Sequence, residues 1–224
     1  MHSRVNIIQT VTGGYQVNTY LVFCPESREG VIIDPGGDAK KILRIIQENK
    51  IRVKYILNTH GHADHILANR ELKNSLHVPV AMHAADDTYF TRPDIKKLSD
   101  RELGLSAPGK ADIQLNDGDR LKIGGIDILV IHTPGHTPGS ACFLVDGNLF
   151  SGDTLFVGDV GRTDLTGGSL DTLLQSIRDK IIVLAGDTTV WPGHNYGETP
   201  TSTLAWEMEE NPYITDFILA GDGK

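Results

Sequence analysis

The segment Thr59-His60-Gly61-His62-Ala63-Asp64-His65 places three histidines and an aspartate within six residues, directly after the apolar run Val53 to Leu57. That run reads as a buried strand, and it dies in a turn crowded with metal-binding side chains. On an extended segment, residues two apart project to the same side, so His60 and His62 can grip one ion. Asp64 and His65 lie at the turn into a helix, where they can face a neighbouring ion. Imidazole and carboxylate ligands suit zinc, iron or manganese. A solvated turn rarely needs three histidines.

Three later positions extend the pattern. His136 lies in Thr133-Pro134-Gly135-His136-Thr137-Pro138-Gly139, Asp153 in Ser151-Gly152-Asp153-Thr154, and His194 in Trp191-Pro192-Gly193-His194. Each follows a segment that reads as a strand, and each sits behind a glycine that lets backbone approach closely. Strands are expected over 5–11, 19–23, 31–33, 53–57, 78–82, 120–123, 126–131, 141–145, 148–151 and 188–191. Helices are expected after a capping Asp38, over 65–76, from Ser169 to about 184, and over 201–210, where Asn211-Pro212 stops the last one. Residues 88–111 read as a helix and a mobile loop. Gly124-Gly125 and Asp146-Gly147 mark hairpins. Strands and helices thus alternate in two β-rich halves with no linker, which predicts one α/β domain over residues 1–224.

Composition narrows the function. The chain of 224 residues carries a formal net charge of −8 and no basic run, which argues against binding nucleic-acid backbones. Unbroken apolar stretches reach only five residues, as at Ile181 to Ala185, so no membrane span is expected. The start, Met1-His2-Ser3-Arg4-Val5-Asn6, has no apolar block and reads as lacking a signal peptide. Cys24 and Cys142 sit in apolar stretches and read as buried thiols, which points to a cytoplasmic protein. His132 reads as a packing residue, and His2, His77 and His83 receive no role.

These motifs resemble the metallo-β-lactamase superfamily, and within it the glyoxalase II-like thioester hydrolases, including their short bacterial form. The resemblance runs from Asn18-Thr19-Tyr20 through Asp34-Pro35-Gly36-Gly37, Thr59 to His65, Leu115 to Asp119, Thr133 to Gly139 and Gly152 to Phe156, ending at Pro192-Gly193-His194. It implies a four-layer αββα sandwich with two divalent metals at one edge, zinc first, with iron or manganese as alternatives. It assigns His60, His62 and His136 to one ion, Asp64, His65 and His194 to the other, and Asp153 to both.

The activity implied is hydrolysis of a small-molecule thioester such as S-lactoylglutathione by a metal-bridging hydroxide. Asp153 and Asp64 are the catalytic candidates, Asp64 also as a group that orients the hydroxide. A thiol with a pKa near ~8.5 leaves as thiolate without a general acid, which fits a site rich in ligands and poor in proton donors. Arg162, in Gly161-Arg162-Thr163-Asp164, falls where the long-form hydrolases carry a glutathione-binding Lys. It could hold a substrate carboxylate, or it could organise its own loop through Asp164. Gly-Arg-Thr-Asp and the tract Ser202-Thr203…Glu207…Asn211-Pro212 also resemble persulfide dioxygenases, which use one iron and oxidise glutathione persulfide. β-Lactam hydrolysis is disfavoured, since lactamases lack the bridging Asp and must expel an amine that wants a proton.

Overall fold

The computed structural model describes residues 5–106 and 109–220. His2 and residues 107–108, part of the stretch expected to hold a loop, lie outside the described residues. Strands β1 (Asn6–Thr12), β2 (Val17–Phe23) and β3 (Glu29–Ile33) form an antiparallel meander. Helix α1 (Ala39–Glu48) crosses to β4 (Arg52–Asn58); α2 (Ala63–Ile66) and α3 (Asn69–Leu76) lead to β5 (Val80–His83). Helices α4 (Ala84–Phe90) and α5 (Pro93–Leu103) precede β6 (Ile113–Leu115), which completes a six-stranded sheet in the order 1-2-3-4-5-6, parallel from β3 onward.

The second sheet begins with the meander β7 (Arg120–Ile123), β8 (Ile126–His132), β9 (Ala141–Val145) and β10 (Asn148–Gly152). A small hairpin follows, β11 (Leu155–Phe156) with β12 (Asp159–Val160), and then α6 (Leu170–Ser176). Strand β13 (Thr189–Pro192) joins β10 in parallel, and β14 (Ser202–Thr203) closes the edge, giving the order 14-13-10-9-8-7. Helices α7 (Leu204–Glu210) and α8 (Pro212–Ile214), the latter continued by a π-helical turn (Thr215–Leu219), complete the described chain.

The strands alternate, and the alternation makes the layers. Tyr20, Val22, Val31, Ile33 and Leu57 of the first sheet meet Ile128, Val130, Phe143, Val145 and Phe150 of the second. The opposite faces bury Leu21, Ile32 and Ile56 under Ile42, Ile46 and Leu72 of α1 and α3, and Cys142, Leu149 and Val190 under Leu173, Leu204 and Ile214 of α6, α7 and α8. The result is the expected αββα sandwich. Both cysteines are buried and free. No helix among the described residues is long and apolar enough to cross a membrane.

Several local expectations need correction. Asp38 does occupy the N-cap position of α1, but its side chain makes no capping bond: the residue is left-handed, and its carboxylate accepts a hydrogen bond from the Gly13 backbone (3.0 Å), tying the β1–β2 turn to the helix. The helix expected over 65–76 is two, because the Ala68 N–H leaves the helical ladder for the Pro35 carbonyl (3.0 Å) and redirects the chain. Residues 88–106 hold the end of α4 and the whole of α5 rather than one helix and a loop. Asn211-Pro212 does stop α7, at Glu210, but that helix is not the last: Asn211 caps α8 by accepting from the Tyr213 N–H (3.0 Å).

Phe143 is fully buried between the sheets. Phe143→Ala is expected to cost about 3–5 kcal/mol, seen as a lower urea midpoint at unchanged slope. A loss below about 1 kcal/mol would contradict the inter-sheet core.

Candidate metal centre

Four strands, β4, β8, β10 and β13, deliver their following loops to one edge of the sandwich, and all seven candidate ligands converge there. His60 Nε2 lies 3.3 Å from His136 Nε2, and His62 Nδ1 lies 2.9 Å from that same atom. Beside this trio, His65 Nε2 lies 3.3 Å from His194 Nε2 and 3.7 Å from Asp64 Oδ2. Asp153 stands between the groups. Its Oδ1 faces His65 Nε2 (3.4 Å), and its Oδ2 faces both His136 (3.6 Å) and His194 (3.7 Å). His60, His62 and His136 form one buried set of donors, and Asp64, His65 and His194 another.

The backbone makes this crowding possible. A side chain at Gly193 would collide with Asp153 Oδ1, and one at Gly61 would enter the Phe90 ring, which packs edge-on to His62 (5.4 Å). The first sheet also holds the last loop of the second. Asn18 N–H donates to the Gly193 carbonyl (2.8 Å), and Tyr20 Oη donates to the Pro192 carbonyl (2.6 Å).

Residues that sequence reasoning missed fix the histidine rings. Asp34, which reads only as the end of β3, accepts from the Thr59 N–H (2.7 Å), the Thr59 hydroxyl (2.6 Å) and His65 Nδ1 (3.0 Å). Because Thr59 gives its proton to Asp34, its oxygen accepts from His60 Nδ1 (3.1 Å). His136 Nδ1 donates to the Arg162 carbonyl (2.7 Å), which can only accept. A histidine that donates from Nδ1 presents Nε2 as its ligand nitrogen. His60, His65 and His136 therefore all aim Nε2 at the centre. A second buried carboxylate, Asp86, accepts from the Gly61 N–H (2.7 Å), the Gly139 N–H (2.5 Å) and the Thr137 hydroxyl (2.7 Å), binding together the loops that carry His60, His62 and His136. The sequence carries a faint signal for Asp34, an acid at a strand end, and none for Asp86.

Electrostatics match these roles. Burial, reinforced by neighbouring His65 and His136, holds the His60 pKa well below the usual histidine range. Burial and His136 push that of His62 down to about 3. Both rings are thus neutral, the form that binds metals. Burial alone would lower His65, but Asp153 and Asp64 outweigh it and raise it well above the ordinary value. Burial alone would raise Asp153, yet His65 and His194 hold it well below the usual carboxylate range. The second set therefore attracts positive charge. Asp153 Oδ1 and His194 Nδ1 are buried without a hydrogen-bond partner. A bound cation beside Asp153 satisfies such an oxygen, so this donor set fits metal ions.

Arg162 behaves differently. Its side chain is exposed and forms a two-pronged pair with Asp164 (2.7 and 2.8 Å), although it borders the same cavity as Asp153. His132 stacks on His83 (3.8 Å between centroids) and donates to the Pro138 carbonyl (3.0 Å), a packing role as expected. Tyr196, unremarked in the sequence, stacks on His194 (5.1 Å, 9° between planes).

Comparison with known proteins accords with this geometry. A sequence model of the metallo-β-lactamase superfamily matches residues 12–194, and the chain belongs to that superfamily. It is similar to hydroxyacylglutathione hydrolase GloC of Haemophilus influenzae, at 33% identity over 89% of this chain and 93% of the relative. It is equally similar to human mitochondrial persulfide dioxygenase ETHE1, at 34% identity over 88% of this chain and 71% of that one. Among solved structures, the BLEG-1 B3 metallo-β-lactamase superposes with a TM-score of 0.84 (36% identity, 94% of this chain, 100% of the other). The di-iron-bound form of TTHA1623 gives 0.78 (36% identity, 92% and 99%). The chain is accordingly a metal-dependent enzyme of the metallo-hydrolase type.

Burial raises the Asp86 pKa from 3.8 to about 6, against the pull of its three hydrogen bonds. The folded value exceeds the unfolded one, so the folded protein takes up this proton first as pH falls. Ionised Asp86 thus weighs against folding above about pH 6, and that penalty disappears below about pH 4. Asp86→Asn removes the titration. Relative to this variant, the metal-free wild type is expected to gain about 3 kcal/mol in unfolding free energy between about pH 7 and pH 4, measured by urea denaturation. A difference that stays constant with pH contradicts the assignment.

Proposed function

We propose that this member of the superfamily hydrolyses thioesters with two divalent ions, held by His60, His62 and His136 on one side and by Asp64, His65 and His194 on the other, with Asp153 shared. The observation that carries the proposal is the position of Asp153, whose carboxylate borders both histidine groups: Oδ1 faces His65, and Oδ2 faces His136 and His194. Ions bound there supply a water-derived nucleophile at neutral pH and stabilise the oxyanion that develops on the substrate carbonyl. Zinc is the first expectation, and iron or manganese suit the same donors.

The chain's own residues set the geometry. Asp34 and the Arg162 carbonyl hold the rings in one tautomer, so no reorientation is needed when ligands engage. Asp64 accepts no proton easily: burial alone would raise its pKa, but His65 and its hydrogen bond to His194 keep it lowered, so it can orient a water as a carboxylate. A thiolate departs without a proton, so a thioester needs no acid from the protein. S-Lactoylglutathione is the reference substrate because GloC is a relative named for that chemistry. The likeness to a B3 lactamase makes a β-lactam the necessary control.

Persulfide oxidation is the second reading, favoured by the likeness to ETHE1. The tract shared with such enzymes has another use here. Glu207 accepts from the Ser202 hydroxyl (2.5 Å), the Asn211 side chain (2.8 Å) and the Gly158 N–H (3.1 Å), so it clamps the hairpin next to Asp153 and touches no candidate ligand.

Protein reconstituted with zinc, iron or manganese is expected to release thiol from S-lactoylglutathione or simpler thioesters, to consume no oxygen, and to leave a β-lactam intact. Oxygen uptake with glutathione persulfide and no thiol release would establish the second reading instead. Asp153→Ala is expected to lower metal content at both positions and His136→Ala chiefly at one, by elemental analysis. Equal losses in the two variants would contradict the shared role of Asp153.

A further inference from the structure

Three cavities meet at Tyr196. One of about 270 Å³ contains Asp153 and Arg162, and one of about 290 Å³ contains His194 and Gln16. The third, of about 940 Å³, runs away from the metal residues along the 196–203 segment and α7. Tyr196 is 66% exposed, with one face on His194 and an edge contact to Phe156 (5.0 Å), so it forms the wall that the site and the large groove share. Trp206, 41% exposed, offers a second aromatic surface in that groove, above the hairpin turn at Gly158.

The charge of these surfaces is one-sided. Among the described residues, Glu198 and Glu210 line the large groove, no lysine or arginine does, and neither glutamate has an ion-pair partner. Among the described residues that line the three cavities, Arg162 is the one Lys or Arg, and its Nε and Nη2 pair with Asp164. A carboxylate on the substrate would meet an Arg162 whose charge Asp164 already balances and whose Nε–Nη2 edge is taken. In the groove it would meet two carboxylates of like sign. An ammonium finds the reverse: two aromatic faces and two unpaired negative charges in a groove that adjoins the site across Tyr196.

We infer that the large groove receives the non-reacting end of the substrate and that this end is net cationic, as in a thioester of an aminothiol with no carboxylate, rather than net anionic. The inference rests on the thioester reading above. The chemistry is unchanged: water adds its oxygen to the carbonyl carbon, the C–S bond breaks, and the products are a carboxylic acid and a thiol. Tyr196 and Trp206 supply faces for the cation, and Glu198 and Glu210 supply its counter-charge.

Three acetyl thioesters test this, differing only in the thiol: acetylthiocholine (cationic), S-acetyl-N-acetylcysteamine (neutral) and S-acetylglutathione (anionic). The metal-loaded full chain is compared with Glu198→Gln/Glu210→Gln, so that intrinsic differences between the thiols cancel. The ratio of kcat/KM for the cationic over the anionic ester is expected to fall about tenfold in the double variant. In the wild type the same ratio is expected to shrink as salt rises from about 0.02 to 0.5 M, because exposed charges are screened. Glu198→Lys/Glu210→Lys is expected to favour the anionic ester. A ratio unchanged by the glutamates and by salt, with all three esters hydrolysed, overturns this inference and leaves the thioester reading standing. No hydrolysis of any ester overturns the thioester reading and this inference with it.

Discussion

Asp34 is the interaction on which the site depends. It is a buried carboxylate at the end of β3, in a left-handed conformation that Asp tolerates better than most residues. One oxygen receives the Thr59 backbone and the other receives the Thr59 hydroxyl and His65. Through Thr59 it decides which nitrogen of His60 is free, and directly it decides the same for His65. These residues belong to the two different sets of donors. A single side chain on the first sheet therefore orients candidate ligands of both, and a ring turned the other way would present an N–H where a metal would need a lone pair.

The fold brings the rest into register with that point. Both sheets end their central strands at one edge, and ties cross from one to the other: Asn18 and Tyr20 to the 192–193 backbone, Ala141 N–H to the Thr59 carbonyl (2.8 Å), and Asp86 to Gly61 and Gly139. His136 and His194 belong to the second sheet, while His60, His62 and His65 belong to the first, so the site exists only where the layers are packed. The inter-sheet core of Tyr20, Phe143 and Phe150 is thus also the support for the metal residues. Burial of the site serves the chemistry, because it keeps His60 and His62 neutral and strengthens every interaction around Asp153.

Much of this was legible in the sequence. The alternation of strands gave the layers, and the seven candidate ligands stood out because each follows a strand and a turn. Local rules failed where distant contacts overrode them. Asp38 looks like a cap but is used by Gly13, and Ala68 leaves a helix to meet Pro35. Asp34 and Asp86 were not legible as site residues, because single acids in turns and helices are common and their partners lie 25 or more residues away. Tyr196 and Trp206 were obscured for the opposite reason: they are exposed, and only the folded surface shows that they line one groove, which meets the candidate site at Tyr196. Arg162 was readable in two ways, and the structure pairs its Nε–Nη2 edge with Asp164, the loop-organising alternative.

The central claim is that Asp153 stands between two adjacent metal positions. The most direct measurement is anomalous diffraction from crystals of the metal-loaded protein, recorded on either side of the absorption edge of the bound element. The account predicts two peaks a few ångströms apart, about 3.5–4 Å for a paired site, one beside His60, His62 and His136, the other beside Asp64, His65 and His194, with the Asp153 carboxylate between them. A lone peak beside one group of ligands in fully loaded protein, or Asp153 turned away from both positions, would contradict it.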